Sequence, residues 1–206
     1  MKSAVKSFLA FYSAACRITG MVVVPIMILA LTGFVLTVYR DANGIYPEYL
    51  LYAYAAGGEI MLDFWMFGGI CSREENGLEY LKTSKRGRAL LQKSVAVDLL
   101  RRFVYMMGYG LFCYAFTGYR QEFVSALIMY VVVVAALNVS RHFALWQAHM
   151  LVTLGACVLF TTVMVFCGVL GAFLAETVIF GILAAVLSVG TVWHVGFCMR
   201  RSYYEK

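Results

Sequence analysis

Hydrophobic residues fall in long blocks along this chain. The blocks occupy residues 21–39, 50–70, 103–117, 123–137, 150–170 and 177–199. A helix needs about 20 apolar residues to cross a hydrocarbon core of about 30 Å, and most of the blocks approach that length. The pattern therefore predicts an all-α, polytopic membrane protein with six transmembrane helices.

Polar segments separate these blocks. Residues 40–49 hold an Asn-Gly pair and a proline, which favour a turn, and residues 118–122 and the stretch around Glu176 are short connections. Residues 138–149 form a further polar connection. Residues 71–102 are the longest polar stretch; their apolar residues recur at helical spacing, but the charges make the stretch too polar to cross a membrane.

The first residues of the chain predict a helix that lies along the membrane surface. Lys2, Lys6 and Arg17 share one narrow arc of a helical wheel, and aromatic and aliphatic residues occupy the opposite side. Such a helix places its basic arc against anionic headgroups and its apolar side at the acyl boundary. We therefore predict an amphipathic interfacial helix over residues 1–20.

The composition excludes a soluble protein. The chain has 206 residues, of which 63% are apolar and 14% are charged, against roughly 45–50% and 25% in soluble domains. One transmembrane domain, residues 1–206, uses the whole chain, so a catalytic or nucleotide-binding domain would belong to another polypeptide. The net charge of +6 indicates basic cytoplasmic loops rather than nucleic-acid binding.

The positions of the cations predict the orientation of the chain. Lys and Arg collect on the cytoplasmic side of membrane proteins. Placing both termini and the segments 71–102 and 138–149 inside puts 15 of the 17 Lys and Arg there and leaves Arg40 and Arg120 outside. This predicts a multi-pass protein of the cell membrane with both ends in the cytoplasm.

Cysteine and histidine spacing predicts no metal site and no catalytic set. The six cysteines are scattered singly, without a C-x-x-C pair or a short Cys/His cluster. His142, His149 and His194 are interpreted as packing or interface residues, because their spacing matches no metal-ligand pattern. We expect no disulfide framework, no bound metal and no catalytic residue in this chain.

Residues 72–93 begin with Arg73 and Glu74, followed by Gly77, continue with Glu79-Tyr80-Leu81, and end with basic residues up to Lys93. This pattern resembles the first cytoplasmic loop of type-2 ATP-binding-cassette (ABC) exporter permeases. That loop begins with an acidic Arg-Glu pair and a glycine, continues with a Glu-Tyr-Leu-like amphipathic turn, and ends with basic residues that lead into the third span. The residues that match the pattern are Arg73, Glu74, Gly77, Glu79, Leu81, Thr83, Ser84, Arg86 and Lys93.

The resemblance implies the membrane-spanning permease subunit of an ATP-driven exporter, which catalyses no bond chemistry itself. ATP and Mg²⁺ would bind to separate cytoplasmic ATPase subunits, and a second permease subunit would complete a homodimer or heterodimer. A short charged helix in the loop would transmit force from the ATPase. Its expected coupling residues are Leu78, Glu79, Leu81, Lys82 and Arg86. The alternative interpretation is a solvated basic loop that only fixes topology.

Glu59 and Asp63 are the second candidate feature. They lie four residues apart within the second block, hence on one helix face, and an ionised acid at mid-bilayer costs roughly 2.5–3.5 kcal/mol. No Lys or Arg lies inside a predicted span to pair with them. They would either line a substrate pathway that attracts cationic cargo, or pack in neutral form against hydroxyl groups.

Two functions stay open on these observations. The first is the exporter permease subunit. The second is a non-transporting integral membrane protein, an enzyme or a scaffold, that uses Glu59 and Asp63 as an acid pair. If the two acids line a polar pathway, we expect replacement by Gln and Asn to maintain or raise stability while activity falls. A purely structural pair, hydrogen-bonded to its neighbours, would lose stability and activity together.

Overall fold

Every regular element that the structure describes is a helix. The computed structural model describes residues 18–40, 48–71, 83–143, 146–170 and 172–204, together with Val5 and Leu9. One π-helical turn, Thr19–Val23, leads directly into the first of six α-helices within these ranges. The helices are α1 (Val24–Arg40), α2 (Glu48–Cys71), α3 (Lys85–Thr117), α4 (Gln121–Phe143), α5 (Trp146–Leu170) and α6 (Phe173–Tyr204).

Within the described residues, three helical stretches are long and apolar enough to cross a membrane. They are Thr19–Val38, Gln121–His142 and Phe173–Arg200, and α5 contributes a shorter apolar stretch, Met150–Met164. The all-α prediction and the prediction of a membrane protein are confirmed at this level. The predicted interfacial helix over residues 1–20 lies almost entirely outside the described residues. Most of the predicted turn over residues 40–49 does too, but its first residue belongs to α1 and residues 48 and 49 belong to α2.

The helix that holds the predicted third span begins well before residue 103, because α3 runs without interruption from Lys85 to Thr117. Ser84 caps its first turn, where the hydroxyl oxygen accepts the N–H of Gly87 at 2.9 Å. Leu91 and Val95 are buried at helical spacing. Residues 85–102 thus extend the helix of the third block, and the charged side chains at the end of this stretch, Asp98, Arg101 and Arg102, find partners within the protein.

α4 occupies the centre of the bundle. It packs against α2, α3, α5 and α6, and its middle turns are buried. The contact with α3 is close at Gly110, where a Cβ atom would lie 2.7 Å from the Cβ of Ala126 and 3.0 Å from the carbonyl oxygen of Glu122. Gly118, at a φ of 74°, ends α3 in the left-handed conformation and starts the short turn into α4.

The outer helices present apolar side chains to their surroundings. Large exposed side chains occur on α1, α5 and α6, among them Phe34, Leu151, Leu174, Val189 and Trp193. Exposing such a surface to water is unfavourable, whereas contact with lipid tails carries no such cost. The exposed apolar faces therefore agree with a bundle that sits in a bilayer.

Candidate functional site: a buried cluster of acids and arginines

The candidate site consists of three acids and three arginines from three helices, called the charge cluster below. α2 supplies two acids one helical turn apart, α3 supplies one acid and two arginines within two turns, and α4 supplies one arginine from its last turn. Its members are Glu59, Asp63, Asp98, Arg101, Arg102 and Arg141.

Arg102 lies at the centre of the cluster and bonds to all three acids. Its Nη1 donates to the Glu59 carboxylate at 2.8 Å and to the Glu59 backbone carbonyl at 2.6 Å. Its Nε donates to Oδ2 of Asp98 at 2.7 Å, and its Nη2 donates to Oδ1 of Asp63 at 3.2 Å. One side chain of α3 is thereby held to two positions on α2.

Each of the other two arginines donates hydrogen bonds from two of its nitrogens to one carboxylate of α2. Arg101 donates to both oxygens of Glu59, at 3.2 and 2.8 Å, and its Nε reaches Asp98 at 3.2 Å. Arg141 donates to both oxygens of Asp63, at 3.1 and 2.6 Å. Two-nitrogen contacts of this kind fix orientation as well as distance.

The cluster is buried and formally neutral. Five of its side chains expose 2% or less of their surface, and Arg101 exposes 19%. Three carboxylates balance three guanidinium groups. Removing one partner of a buried ion pair costs about 3–5 kcal/mol, whereas replacing the whole pair with apolar groups is often neutral. The cluster therefore fixes how the three helices fit together more than it adds net stability.

The prediction that Glu59 and Asp63 have no cationic partner is wrong. Three arginines reach them, because α3 and α4 continue through segments that the sequence assigned to polar connections. One signal was present: Asp98 stands three and four residues before Arg101 and Arg102, the spacing of ion pairs on a helix face. Arg141 gave no such signal, since its partners lie far away in the sequence.

The predicted coupling residues are only partly described. Leu78, Glu79, Leu81 and Lys82 lie outside the described residues. Arg86 lies in the first turn of α3 and is exposed. The charge cluster joins the two helices on either side of this loop, α2 before it and α3 after it.

A cavity of about 690 Å³ lies between α1, α2 and α5. Apolar side chains line most of it, and Gly57 and Gly58 of α2 also line it. Its further lining includes Ile28, Leu31, Tyr54, Met61 and Cys157. Glu59 and Asp63 do not line it, because they lie on the face of α2 that is turned toward α3 and α4.

A second polar network lies at the other end of α4. Glu122 is buried and accepts hydrogen bonds from Tyr52 at 2.7 Å and Thr117 at 3.2 Å. Its neighbour Gln121 donates to Glu176 at 2.8 Å. These contacts link the start of α4 to α2, α3 and α6, so both ends of the central helix are held by polar side chains.

Comparisons with known proteins assign no family to this arrangement. No protein-family model, curated protein or solved structure matches the chain.

Proposed function

We propose that this chain is the membrane-spanning permease subunit of an ATP-driven exporter, with separate cytoplasmic ATPase subunits and a second permease subunit. The loop resemblance over residues 72–93 supports the class. The observation that carries the proposal is the charge cluster, because it ties together the two helices that enter and leave the predicted coupling loop.

The cluster suits the transmission of force. A push on the loop acts on the end of α2 and the start of α3. Because Arg102 holds these helices together, they would move as one unit. Arg141 extends the connection to α4, the central helix, which packs on four of the others. ATP and Mg²⁺ stay on the partner subunit, and this chain supplies movement only.

The neutrality of the charge cluster affects which part of the protein could contact the cargo. Two unpaired acids would attract a cation, but three arginines already balance the carboxylates. The apolar cavity between α1, α2 and α5 is then the better candidate for direct contact with cargo. In this proposal Glu59 and Asp63 do not contact cargo; their bonds to the arginines hold α2, which lines the cavity, against α3 and α4.

The test is association with an ATPase. The tagged chain is expressed in its native cells and purified in mild detergent, any ATPase that co-purifies is identified, and ATP hydrolysis by that complex is measured in lipid nanodiscs. The double replacement Leu78→Asp with Leu81→Asp should abolish association, because buried apolar anchors and rim charges carry such interfaces. A double variant that keeps its ATPase and exports normally would contradict the coupling assignment.

A matched pair of variants isolates the described part of the loop. Arg86→Ala should lower ATPase stimulation, whereas Lys85→Ala, which removes a neighbouring exposed cation that is not part of the pattern, should not. Equal effects from both would indicate a general loss of positive charge rather than a coupling contact.

The second candidate is a non-transporting integral membrane protein, in particular a scaffold. The observation that favours it is that both acids of the predicted pair are bonded to arginines, which is also what a purely architectural cluster requires. Two results together would support this candidate: the chain purifies without any ATPase, and cells that lack the gene for this chain export the same compounds as wild-type cells.

A further inference from the structure

Two histidines and one cysteine meet where the ends of α4 and α6 pack together. His142 lies in the last turn of α4, and His194 and Cys198 lie one turn apart on α6. The two imidazole rings stack with their centroids 5.7 Å apart and their planes at 17°. The Cys198 Sγ lies 3.7 Å from Nδ1 and 3.6 Å from Nε2 of His194.

These distances fit a tetrahedral metal ion. One candidate ligand atom from each residue lies within 4.8 Å of the other two. With Zn–S bonds of about 2.3 Å and Zn–N bonds of about 2.0–2.1 Å, tetrahedral ligands have S···N separations of about 3.6 Å and N···N separations of about 3.3 Å. The Cys198 Sγ lies at about this separation from both ring nitrogens of His194. Rotation of the two half-buried histidine side chains would direct one nitrogen of each toward a shared ion.

The ligand types restrict the metal. Two imidazoles and a thiolate are ligands for Zn²⁺ and its neighbours among the transition metals, whereas Mg²⁺ and Ca²⁺ require oxygen ligands. Three protein ligands leave a fourth position for water or another small ligand. Both histidines are partly exposed, which provides access to that position.

We propose that His142, His194 and Cys198 form a binding site for one Zn²⁺-class transition-metal ion. The ion clamps the end of α4 to α6, one residue away from Arg141 of the charge cluster. Part of this site has a local signal, the i, i+4 spacing of His194 and Cys198 on one helix face. His142 joins them only because α4 and α6 meet in the folded bundle. The site binds metal whether or not the chain exports a substrate.

Cobalt absorption provides the test, since Zn²⁺ has no visible spectrum. The full chain, without a polyhistidine tag, is stripped with a chelator in lipid nanodiscs and titrated with Co²⁺. We expect one Co²⁺ per chain, a thiolate-to-cobalt charge-transfer band, and displacement by Zn²⁺ but not by Mg²⁺. Zn²⁺ should also raise the Tm of the wild-type chain, because binding to the folded state alone stabilises it.

Matched variants separate this site from adventitious binding. Cys198→Ser should remove the charge-transfer band, whereas Cys157→Ser, which changes another cysteine within a helix, should keep it. His142→Ala should weaken Co²⁺ binding by more than the roughly 10–100-fold that loss of an outer-shell partner costs. Circular dichroism reports whether each variant retains its helices.

Three results would overturn the proposal: no charge-transfer band in the wild-type chain, a band that survives in a folded Cys198→Ser variant, or an unchanged affinity in His142→Ala. If Cys198→Ser does not fold, the His142→Ala affinity and the Zn²⁺-dependent Tm of the wild-type chain decide the outcome.

Discussion

Replacement of Arg102 by methionine tests the charge cluster most directly. Methionine fills a similar volume but cannot donate, so the variant leaves three buried carboxylates with two arginines. Arg102 is fully buried and donates four hydrogen bonds. Breaking a buried ion pair costs about 3–5 kcal/mol, and we expect a loss of stability of this size.

Arg101→Met is the matched control. Arg101 also belongs to the cluster, but 19% of its side chain is exposed, and Arg102 remains bonded to Glu59 after its removal. The Arg101 side chain is already partly exposed, so its removal disturbs the buried part of the cluster less. The expected loss is therefore smaller, about 1–3 kcal/mol, the range for hydrogen bonds to charged groups.

A second replacement should recover stability if charge balance is the cause. Adding Asp98→Leu to Arg102→Met leaves two acids and two arginines in two bidentate pairs, Arg101 with Glu59 and Arg141 with Asp63. We expect a favourable coupling of about 2–3 kcal/mol between the two replacements, the upper part of the range measured for residues in contact.

The measurement is unfolding by denaturant in mixed micelles, followed by circular dichroism, for the wild-type chain, each single variant and the double variant. An Arg102→Met variant within about 1 kcal/mol of the wild-type chain would contradict the buried geometry. If the stability losses of Arg102→Met and Asp98→Leu simply add in the double variant, the two side chains do not belong to one balanced set of charges.

Three further predictions concern packing, topology and the predicted acid pair. Gly110→Ala should cost about 1–3 kcal/mol in the same unfolding assay because its Cβ has no room, whereas Gly108→Ala, with open space around it, should be neutral or stabilising by up to about 1 kcal/mol. A cysteine at Ser84 should react only with membrane-permeant thiol reagents and one at Asn43 with impermeant ones; the reverse labelling would overturn the proposed orientation. Glu59→Gln should lose about 1–3 kcal/mol of stability, because two arginines lose a charged acceptor; a gain would support the unpaired state expected from sequence alone.

Hydropathy alone predicted most helix positions well. The predicted blocks at residues 50–70 and 150–170 lie within α2 and α5 and end within one residue of them. Hydropathy predicts such helices because a helix in lipid satisfies its own backbone hydrogen bonds. Its position in the chain therefore depends on local composition. The failures were at the polar ends, where charge was interpreted as solvent exposure. Residues 85–102 carry many charges and still continue α3.

The sequence by itself determined that this protein is helical, apolar and suited to a membrane, since those properties follow from the length and composition of each block. Only the tertiary structure decided which groups meet. Arg141 reaches Asp63 across 78 residues, and His142 of α4 faces His194 of α6. The physical reason is that ion pairs and metal ligands depend on distances of a few ångströms between helices, which the packing around α4 sets and no local pattern encodes.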